Sequence, residues 1–300
     1  MTIFELISHF NTEDACKQDF KERREAHGVY CKKCGGQKHY WLKAKCQWQC
    51  STCSFRTGLR NGYFMEHSKM PFLKWYHAMI LFSFSKKGLS AKEIQRQLQS
   101  TRYESVWSMV HRIRKAMSKA NEQTKLSGTV EFDEGYFSVA TPKIKHNKRG
   151  RGSKKKVKVA VMAESIPLEK YRTCEKYNWV GNFKMHVLEG HEKSKIDQLI
   201  EDKVVKNSVL ITDKSPSYNG LSKNFEHFPS LSPEHTISST LKWVHIGISN
   251  AKRKLLGLNH GVKKEYLQGY LDEFCFKLNR RKEHGEMMFH LLDAVSLSYW

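Results

Sequence analysis

The chain has 300 residues, a length that predicts two or three domains because single cores rarely exceed about 250–300 residues. Its 52 Lys and Arg residues outnumber 30 Asp and Glu residues, which leaves a formal net charge of +22. That charge predicts a polyanionic partner, with nucleic acid favoured over an anionic membrane surface. The longest apolar run, AMILF at 78–82, falls far short of the ~20 residues that span a bilayer. Because the N-terminus also lacks the pattern of a signal peptide, we expect a cytoplasmic protein with reduced cysteines.

Two cysteine pairs follow an N-terminal segment, 1–26, that has no distinctive pattern. Cys31 and Cys34 form one C-x2-C pair, and Cys50 and Cys53 form another after fifteen intervening residues. Each pair can present two thiolates to one metal, so the spacing predicts a tetrahedral Zn2+ site in a zinc ribbon over 27–62. So small a module buries little surface, and we expect it to need the metal to fold. The aromatic, alternating segment between the two pairs predicts a short hairpin, in which Cys46 is interpreted as a hairpin residue and not as a ligand. The isolated cysteines are interpreted as ordinary thiols: Cys16, Cys174 and Cys275.

A helical region over 70–122 comes next. Pro71 suits the first position of a helix that ends at Gly88, and both SAKE (90–93) and TRYE (101–104) have the spacing of a capping box. Two short capped helices in close succession, the second basic, predict a helix-turn-helix that binds DNA. A plain helical linker with a solvated basic face is the alternative. The candidate DNA contacts are Arg102, Arg112, Arg114 and Lys115.

Beyond residue 128 the pattern becomes strand-like. Three strands, a helix, a fourth strand and a later helix have the order of an RNase H-like mixed α/β domain, placed at 128–262. A C-terminal helical segment with one apolar stripe follows over 263–300. The predicted fold class is therefore a multidomain α/β protein: zinc ribbon, helix-turn-helix-like region, RNase H-like catalytic domain and C-terminal helix. The predicted strands lie at 129–139, 156–165, 182–190 and 208–214, and the helices at 193–204 and 241–257.

Acidic residues stand in the first and fourth of these strands, where acids are disfavoured. In TVEFDEGYF, Phe132 lies on one face while Glu131 and Asp133 share the other, and Glu134 follows. Asp213 ends a buried run, where an unneutralised carboxylate would be costly. Divalent cations held by Asp133 and Asp213 would explain both positions, since two such ions can assist phosphoryl displacement. The alternative is that the two aspartates only cap strand ends.

The segment between the first two strands, 141–158, contains nine Lys and Arg residues and two glycines. This composition predicts a basic hairpin or loop beside the acidic site that neutralises DNA phosphates. A disordered solubilising loop is the alternative. The candidate contacts are Arg149, Arg151, Lys154, Lys155 and Lys156.

Five features of the chain carry a resemblance to a known family: the paired C-x2-C, VEFDEGYF, ITDKSPSY, ISNAKRKLLGLNHG and YLQGYLDEFCFKLNRR. With these features the chain resembles bacterial insertion-sequence transposases of the DDE superfamily, the type with an N-terminal zinc ribbon. The resemblance implies Asp133 and Asp213 as first and second catalytic acids and Mg2+ (or Mn2+) as cofactor. It implies double-stranded DNA as substrate, both the terminal inverted repeats and the target, with a homo-oligomer in the DNA complex. The implied reaction is hydrolytic release of 3′-hydroxyls followed by their attack on target DNA.

The third catalytic position departs from the family pattern, which commonly has a glutamate seven residues before a basic residue. Lys252 resembles that basic residue, and His245 stands seven positions before it; Asn250 is the runner-up. At about 100° per residue, His245 and Lys252 share one flank of the buried helical stripe and Asn250 lies on the other. We favour His245, although imidazole is a poorer magnesium ligand than an amide oxygen.

Three functions are compatible with the sequence. The first is an active transposase, which binds insertion-sequence ends and cleaves and transfers DNA strands. The second is a catalytically inactive, domesticated DNA-binding regulator, and the third is a structure-specific nuclease. Terminal inverted repeats beside the gene would favour the first function over the other two.

Overall fold

The computed structural model describes residues 1–140, 153, 155–167, 178–188, 193–213, 225–230, 241–283 and 285–297. Four of the residues singled out above lie outside this part of the chain: Arg149, Arg151, Lys154 and Cys174. The chain forms two compact units, one of residues 1–119 with 282–300 and the other of residues 120–281. Within the described ranges, no helix is long and apolar enough to cross a membrane.

The first unit begins with two helices that the sequence pattern did not predict, α1 (Ile3–His9) and α2 (Glu13–Ala26). Thr2 caps α1 in a capping box with Glu5, and Thr12 caps α2 by accepting from the Ala15 amide. Residue Arg24 of α2 is 1% exposed, and its guanidinium lies 4.6 Å from the ring centre of Trp48. The N-terminal segment therefore packs against the module that follows it.

That module is a small antiparallel sheet of three strands in the order β1 (His39–Leu42), β2 (Gln47–Cys50) and β3 (Arg56–Gly58). Its central residue is Trp48, which is 1% exposed. The Trp48 indole donates to Glu25 of α2 at 2.8 Å, so its buried N–H group is satisfied. The hairpin predicted between the two cysteine pairs is thus present.

Three helices follow: α3 (Phe72–Phe84), α4 (Ala91–Gln97) and α5 (Tyr103–Glu122). Pro71 was predicted at the first helical position and Gly88 at the end of the helix, but Pro71 is the residue before α3 and the helix ends at Phe84. The Ser90 hydroxyl accepts from the Glu93 amide at the start of α4, as predicted. The Glu93 carboxylate accepts instead from Arg96 and Gln97 one turn further on. Helix α5 begins at Tyr103, two residues beyond the threonine predicted to cap it.

The second unit contains five strands: β4 (Thr129–Ser138), β5 (Lys156–Pro167), β6 (Asn178–Val187), β7 (Val209–Asp213) and β8 (Glu226–Ser230). They form one sheet in the order β6-β5-β4-β7-β8. Strands β4 to β6 pair in antiparallel fashion, whereas β7 and β8 run parallel to β4. The four predicted strands are present and a fifth, β8, was not predicted.

Helices cover both faces of this sheet. On one face, α6 (Lys193–Lys203) packs against a core that includes Val130, Phe132 and Met162. On the other face, α7 (Lys242–Asn259) and α8 (Lys264–Asn279) pack against a core that includes Phe137 and Phe183. The predicted stripe of α7 is buried as expected: Val244, Ile248, Ala251 and Leu255. Since β4 alternates between the two cores, Glu131 and Asp133 lie on the α7 face.

The C-terminal segment differs from the single helical stretch predicted for 263–300. Its first part is α8, which belongs to the second unit, and its last part is α9 (Met287–Leu297), which belongs to the first unit. Residues 280–286, RRKEHGE, interrupt the apolar pattern between them. Charged residues and Gly285 cannot continue a buried helical stripe, so the chain leaves one core and enters another.

Candidate active site and zinc centre

The four paired cysteines form one cluster in the first unit. The Sγ atoms of Cys31, Cys34, Cys50 and Cys53 all lie within 4.8 Å of one another. The Sγ atoms of Cys31 and Cys53 are 3.5 Å apart, and those of Cys34 and Cys50 are 3.6 Å apart. Disulfide sulfurs would be about 2.0 Å apart, whereas zinc bonds of about 2.3 Å place tetrahedral sulfur ligands roughly 3.8 Å apart. The cluster therefore fits zinc.

The backbone explains why both pairs adopt the same turn. The amides of Gly35 and Ser54 donate to the carbonyls of Cys31 and Cys50, respectively, four residues earlier. Gly35 and Ser54 both have left-handed backbones, with φ of 70° and 57°. A Cβ on the next glycine, Gly36, would lie 3.3 Å from two of the cysteine sulfurs. Cys46 lies outside the cluster, with its thiol directed to the Lys43 carbonyl at 3.7 Å, as predicted for a hairpin residue.

The predicted catalytic acids lie on adjacent parallel strands of the second unit. Glu131 of β4 is paired with Ile211 of β7, so Asp133 and Asp213 stand two residues further along their strands in the same direction. Residues in register on neighbouring strands point to the same face, and the strands are about 4.8 Å apart. The two carboxylates are close enough for the charge of Asp213 to act on Asp133. Burial raises the pKa of Asp133, and Asp213 raises it further, while the Glu134 amide and His245 oppose the shift.

Helix α7 brings His245 to this pair. The imidazole Nε2 lies 3.1 Å from Asp133 Oδ2, and the two side chains are 35% and 20% exposed, respectively. The helix lies close to the sheet because two glycines allow it. A Cβ on Gly135 of β4 would meet Ile248 of α7 at 3.2 Å, and a Cβ on Gly247 would meet the Phe183 ring at 2.0 Å. The site is therefore reachable from solvent at its acids but tightly packed behind them.

The other two candidates on α7 lie elsewhere. Asn250 is exposed, and its Oδ1 accepts from Arg253 on the same helix at 2.7 Å. Lys252 is exposed, with its Nζ 5.5 Å from the ring centre of Phe137, two turns along from His245. The structure thus brings His245, rather than Asn250, into contact with the first acid.

The two neighbouring acids on β4 have other partners. Glu134 points to the opposite face, where it forms an ion pair with Lys158. Glu131 is 3% exposed and accepts from two backbone amides of α7. Its alternation with Phe132 was predictable, but its partners were not, because they lie 112 and 113 residues away along the chain.

The predicted basic contacts divide into surface and buried positions. Arg102 and Lys115 are exposed on α5, and Lys155 and Lys156 are exposed where β5 begins. Arg112 is half-buried and donates to the Phe64 and Glu66 carbonyls.

Arg114 departs from the predicted surface position. It is 2% exposed, and its guanidinium lies 5.9 Å from the ring centre of Phe82. Helix α5 buries a wide apolar stripe, which consists of Val106, Met109, Val110, Ile113, Ala116 and Met117. The Arg114 side chain therefore packs inside the first unit.

A mixed sheet of this order, helices on both faces and two aspartates on adjacent parallel strands define an RNase H-like fold. The chain belongs to the family of ISXO2-like transposase domains, whose model matches residues 125–279, more than half of its length. No individually curated protein shows significant similarity to it.

Solved structures of the Mos1 transposase are distantly similar. The Mos1 strand transfer complex is 16% identical, with 78% of this chain and 82% of that chain covered and a TM-score of 0.31. A pre-cleavage Mos1 transpososome is 14% identical over the same shares of the two chains, with a TM-score of 0.29. The mariner Mos1 paired end complex with Mg is 13% identical, again over the same shares, with a TM-score of 0.26. The assignment to a family rests on the family model.

Proposed function

We propose that this transposase-family protein binds the terminal inverted repeats of its own insertion sequence and catalyses metal-dependent cleavage of DNA strands and their transfer to target DNA. The observation that carries the proposal is the pair Asp133 and Asp213 on adjacent parallel strands, with His245 against the first of them. Family membership supports the same chemistry, because phosphoryl transfer on DNA is what joins an element to a target.

A divalent cation suits this carboxylate pair. Both donors are hard oxygen ligands, which Mg2+ and Mn2+ prefer. Burial raises the pKa of Asp133, and the like charge of the exposed Asp213 raises it further, so bound positive charge would offset both effects. Asp133 and Asp213 would hold the ions. When bound, such ions supply positive charge at the attacking and leaving oxygens of an in-line displacement.

We assign His245 and Lys252 different roles at that centre. Imidazole is a poor ligand for Mg2+, so we assign His245 a hydrogen bond to Asp133 that orients the carboxylate, and a contact with the scissile phosphate. Lys252 lies seven residues further along α7, about 10 Å along the helix axis. There its ammonium would bind a DNA phosphate as a point charge and hold the strand in register with the acids.

Binding of DNA is assigned to exposed basic groups in both units. Arg102 and Lys115 of α5 would contact the ends, and Lys155 and Lys156 would neutralise phosphates near the acids. The cysteine cluster would hold one Zn2+ and so keep the ribbon folded. An insertion sequence has two ends, so we expect a homo-oligomer that brings one active site to each end in the DNA complex.

The test uses purified protein, a duplex carrying the terminal inverted repeat found beside its gene, a target plasmid and Mg2+. We expect free 3′-hydroxyls at the element end and their joining to the plasmid. Asp133→Asn and Asp213→Asn should abolish cleavage and leave end binding intact. Asp202→Asn, which removes an exposed carboxylate from α6, is the matched control and should cleave normally.

Each other outcome has a definite meaning. Cleavage without joining would identify a structure-specific nuclease, and binding without cleavage would identify an inactive regulator. Cleavage that survives in both asparagine variants would refute the assignment of the two aspartates.

A further inference from the structure

Glu131 and Asp133 share a face of β4 but have different surroundings. The Asp133 side chain is 20% exposed, as a group that meets a substrate requires. Glu131 is only 3% exposed. Burial of a carboxylate is costly unless its oxygens accept hydrogen bonds, so the partners of Glu131 indicate what it does.

Two of those partners are amides in the first turn of α7, and the Ser165 side chain of β5 is a third. Glu131 Oε2 accepts from the Trp243 amide at 2.8 Å and from the Val244 amide at 3.2 Å. The first four amides of a helix have no partner inside the helix, and a nearby side chain normally caps them. Leu241, the residue before α7, provides no such side chain. A carboxylate on a strand therefore replaces the local cap, where it also complements the positive end of the helix dipole.

This cap acts on the turn that carries His245. His245 directly follows Val244, and its own amide donates to the Leu241 carbonyl at 3.1 Å, which closes the first turn. Two residues further along β4, Asp133 meets the His245 imidazole at 3.1 Å. One short stretch of β4 thus contacts both the backbone and the side chain of one helical turn.

Packing alone does not fix that turn along the helix axis. The close approach at Gly135 and Gly247 sets how near α7 lies to the sheet. Apolar contacts of this kind are non-directional, whereas two hydrogen bonds to one carboxylate oxygen specify an axial position.

We propose that Glu131 is a positioning residue: by capping α7 from β4 it holds the first turn of the helix at the height where His245 meets Asp133. The inference rests on the proposed function in so far as His245 is the third member of the active site. It predicts that reach to the amides matters more than charge at position 131.

Two conservative variants separate reach from charge. Glu131→Gln keeps an oxygen at the same distance and removes the charge, whereas Glu131→Asp keeps the charge and shortens the side chain by one methylene. The readout is the single-turnover rate of end cleavage at saturating DNA and Mg2+. We expect Glu131→Gln to cleave within about threefold of the wild type. Glu131→Asp and Glu131→Ala should lose roughly 100-fold, the scale of a catalytic group displaced by about 1 Å.

Two measurements distinguish positioning from a general loss of structure. End-DNA affinity should be unchanged in every variant, so that the loss lies in the rate of cleavage alone. In a His245→Ala background, Glu131→Asp should cause less than about a threefold further loss, because residues that act through one group are not additive. Additive losses, or a Glu131→Gln variant as slow as Glu131→Asp, would overturn the inference; the latter result would instead indicate that the charge contacts metal.

Crystal structures of the wild-type protein and of Glu131→Asp provide a test that does not need activity. We expect the His245–Asp133 contact to persist in the wild type and to be lost in Glu131→Asp. An unchanged contact would contradict the proposed role even if the variant is slow. If wild-type protein cleaves no end DNA, the proposed function fails, while the crystallographic comparison still decides whether Glu131 positions α7.

Discussion

The imidazole of His245 lies against the carboxylate of Asp133, with Nε2 3.1 Å from Oδ2, although 112 residues separate them in the chain. Helix α7 makes this contact possible because it begins beside Glu131 and then follows β4 past Gly135 to Phe137. A helix held along the strand that carries the first acid can present a third group at a fixed distance from it.

The cysteine cluster should bind zinc. Purified protein is expected to contain about one equivalent, and Cys31→Ser should lose it because three thiolates cannot complete the tetrahedral site. Cys46→Ser is the control, since Cys46 lies in the same module but outside the cluster. Metal analysis by mass spectrometry checks both. A folded first unit without zinc in the wild type would contradict the assignment.

Two arginines of α5 should behave differently when replaced by alanine. Arg102 is exposed, so its loss should weaken binding to the element end more than to a scrambled duplex, by about 1–3 kcal/mol if it contacts a base. Arg114 is buried over Phe82, so its loss should lower the melting temperature instead. Titrations of both duplexes and thermal unfolding measure the two effects. Equal loss of DNA affinity in both variants would argue against this division.

A buried charge cluster joins α7 to α8. Glu273 is 1% exposed, and its Oε1 lies 3.0 Å from Lys254 Nζ and 3.4 Å from Lys277 Nζ. Glu273→Gln would remove the counter-charge that Glu273 provides to two buried ammonium groups, so we expect it to lower the free energy of unfolding by about 3 kcal/mol or more. Chemical denaturation measures the change. Glu93→Gln, at an exposed ion pair with Arg96, is the control and should change little.

His186 should make stability depend on pH. Burial, with the charges of Lys203 and Lys184, lowers its pKa to about 4, whereas an unfolded histidine titrates near 6.5. The folded state therefore favours the neutral ring. Its contribution to stability is present above about pH 6.5 and is lost as the pH falls towards 4. His186→Gln should reduce the difference in melting temperature between pH 7.5 and pH 5, and an undiminished difference would assign the pH dependence to other groups.

The sequence allowed prediction of features that depend on local periodicity. The alternation in β4 placed Glu131 and Asp133 opposite Phe132, and the spacing of α7 identified its buried stripe, because both patterns follow from the geometry of one element. The spacing of the cysteines was sufficient to predict the cluster, since the two cysteines of each pair lie on one turn of the backbone.

Other features depended on contacts that periodicity does not encode. Three features are determined by the packing of elements that are distant from one another in the chain: the pairing of β7 with β4, the cap of α7 by Glu131 and the burial of Arg114. The break between α8 and α9 was visible as RRKEHGE, but only the structure assigns the two helices to different cores.

His245 of α7 is proposed as the third residue of the active site. His245→Glu distinguishes two roles for it: glutamate should retain or raise Mg2+-dependent cleavage if the site requires only a metal ligand. It should be inactive if the imidazole binds the phosphate or moves a proton. We expect an inactive variant, because the imidazole already faces the Asp133 carboxylate and a second acid there would repel it.

The most direct measurement compares single-turnover cleavage of end DNA by His245→Ala and Asn250→Ala, first with Mg2+ and then with Mn2+. His245 contacts Asp133, whereas Asn250 pairs with Arg253 on the exposed side of α7. We expect His245→Ala to lose about 100-fold or more with either metal, and Asn250→Ala to stay within about threefold of the wild type because Asn250 contacts neither acid. An inactive Asn250→Ala beside a normally active His245→Ala would refute the assignment of His245 and identify the asparagine as the third residue.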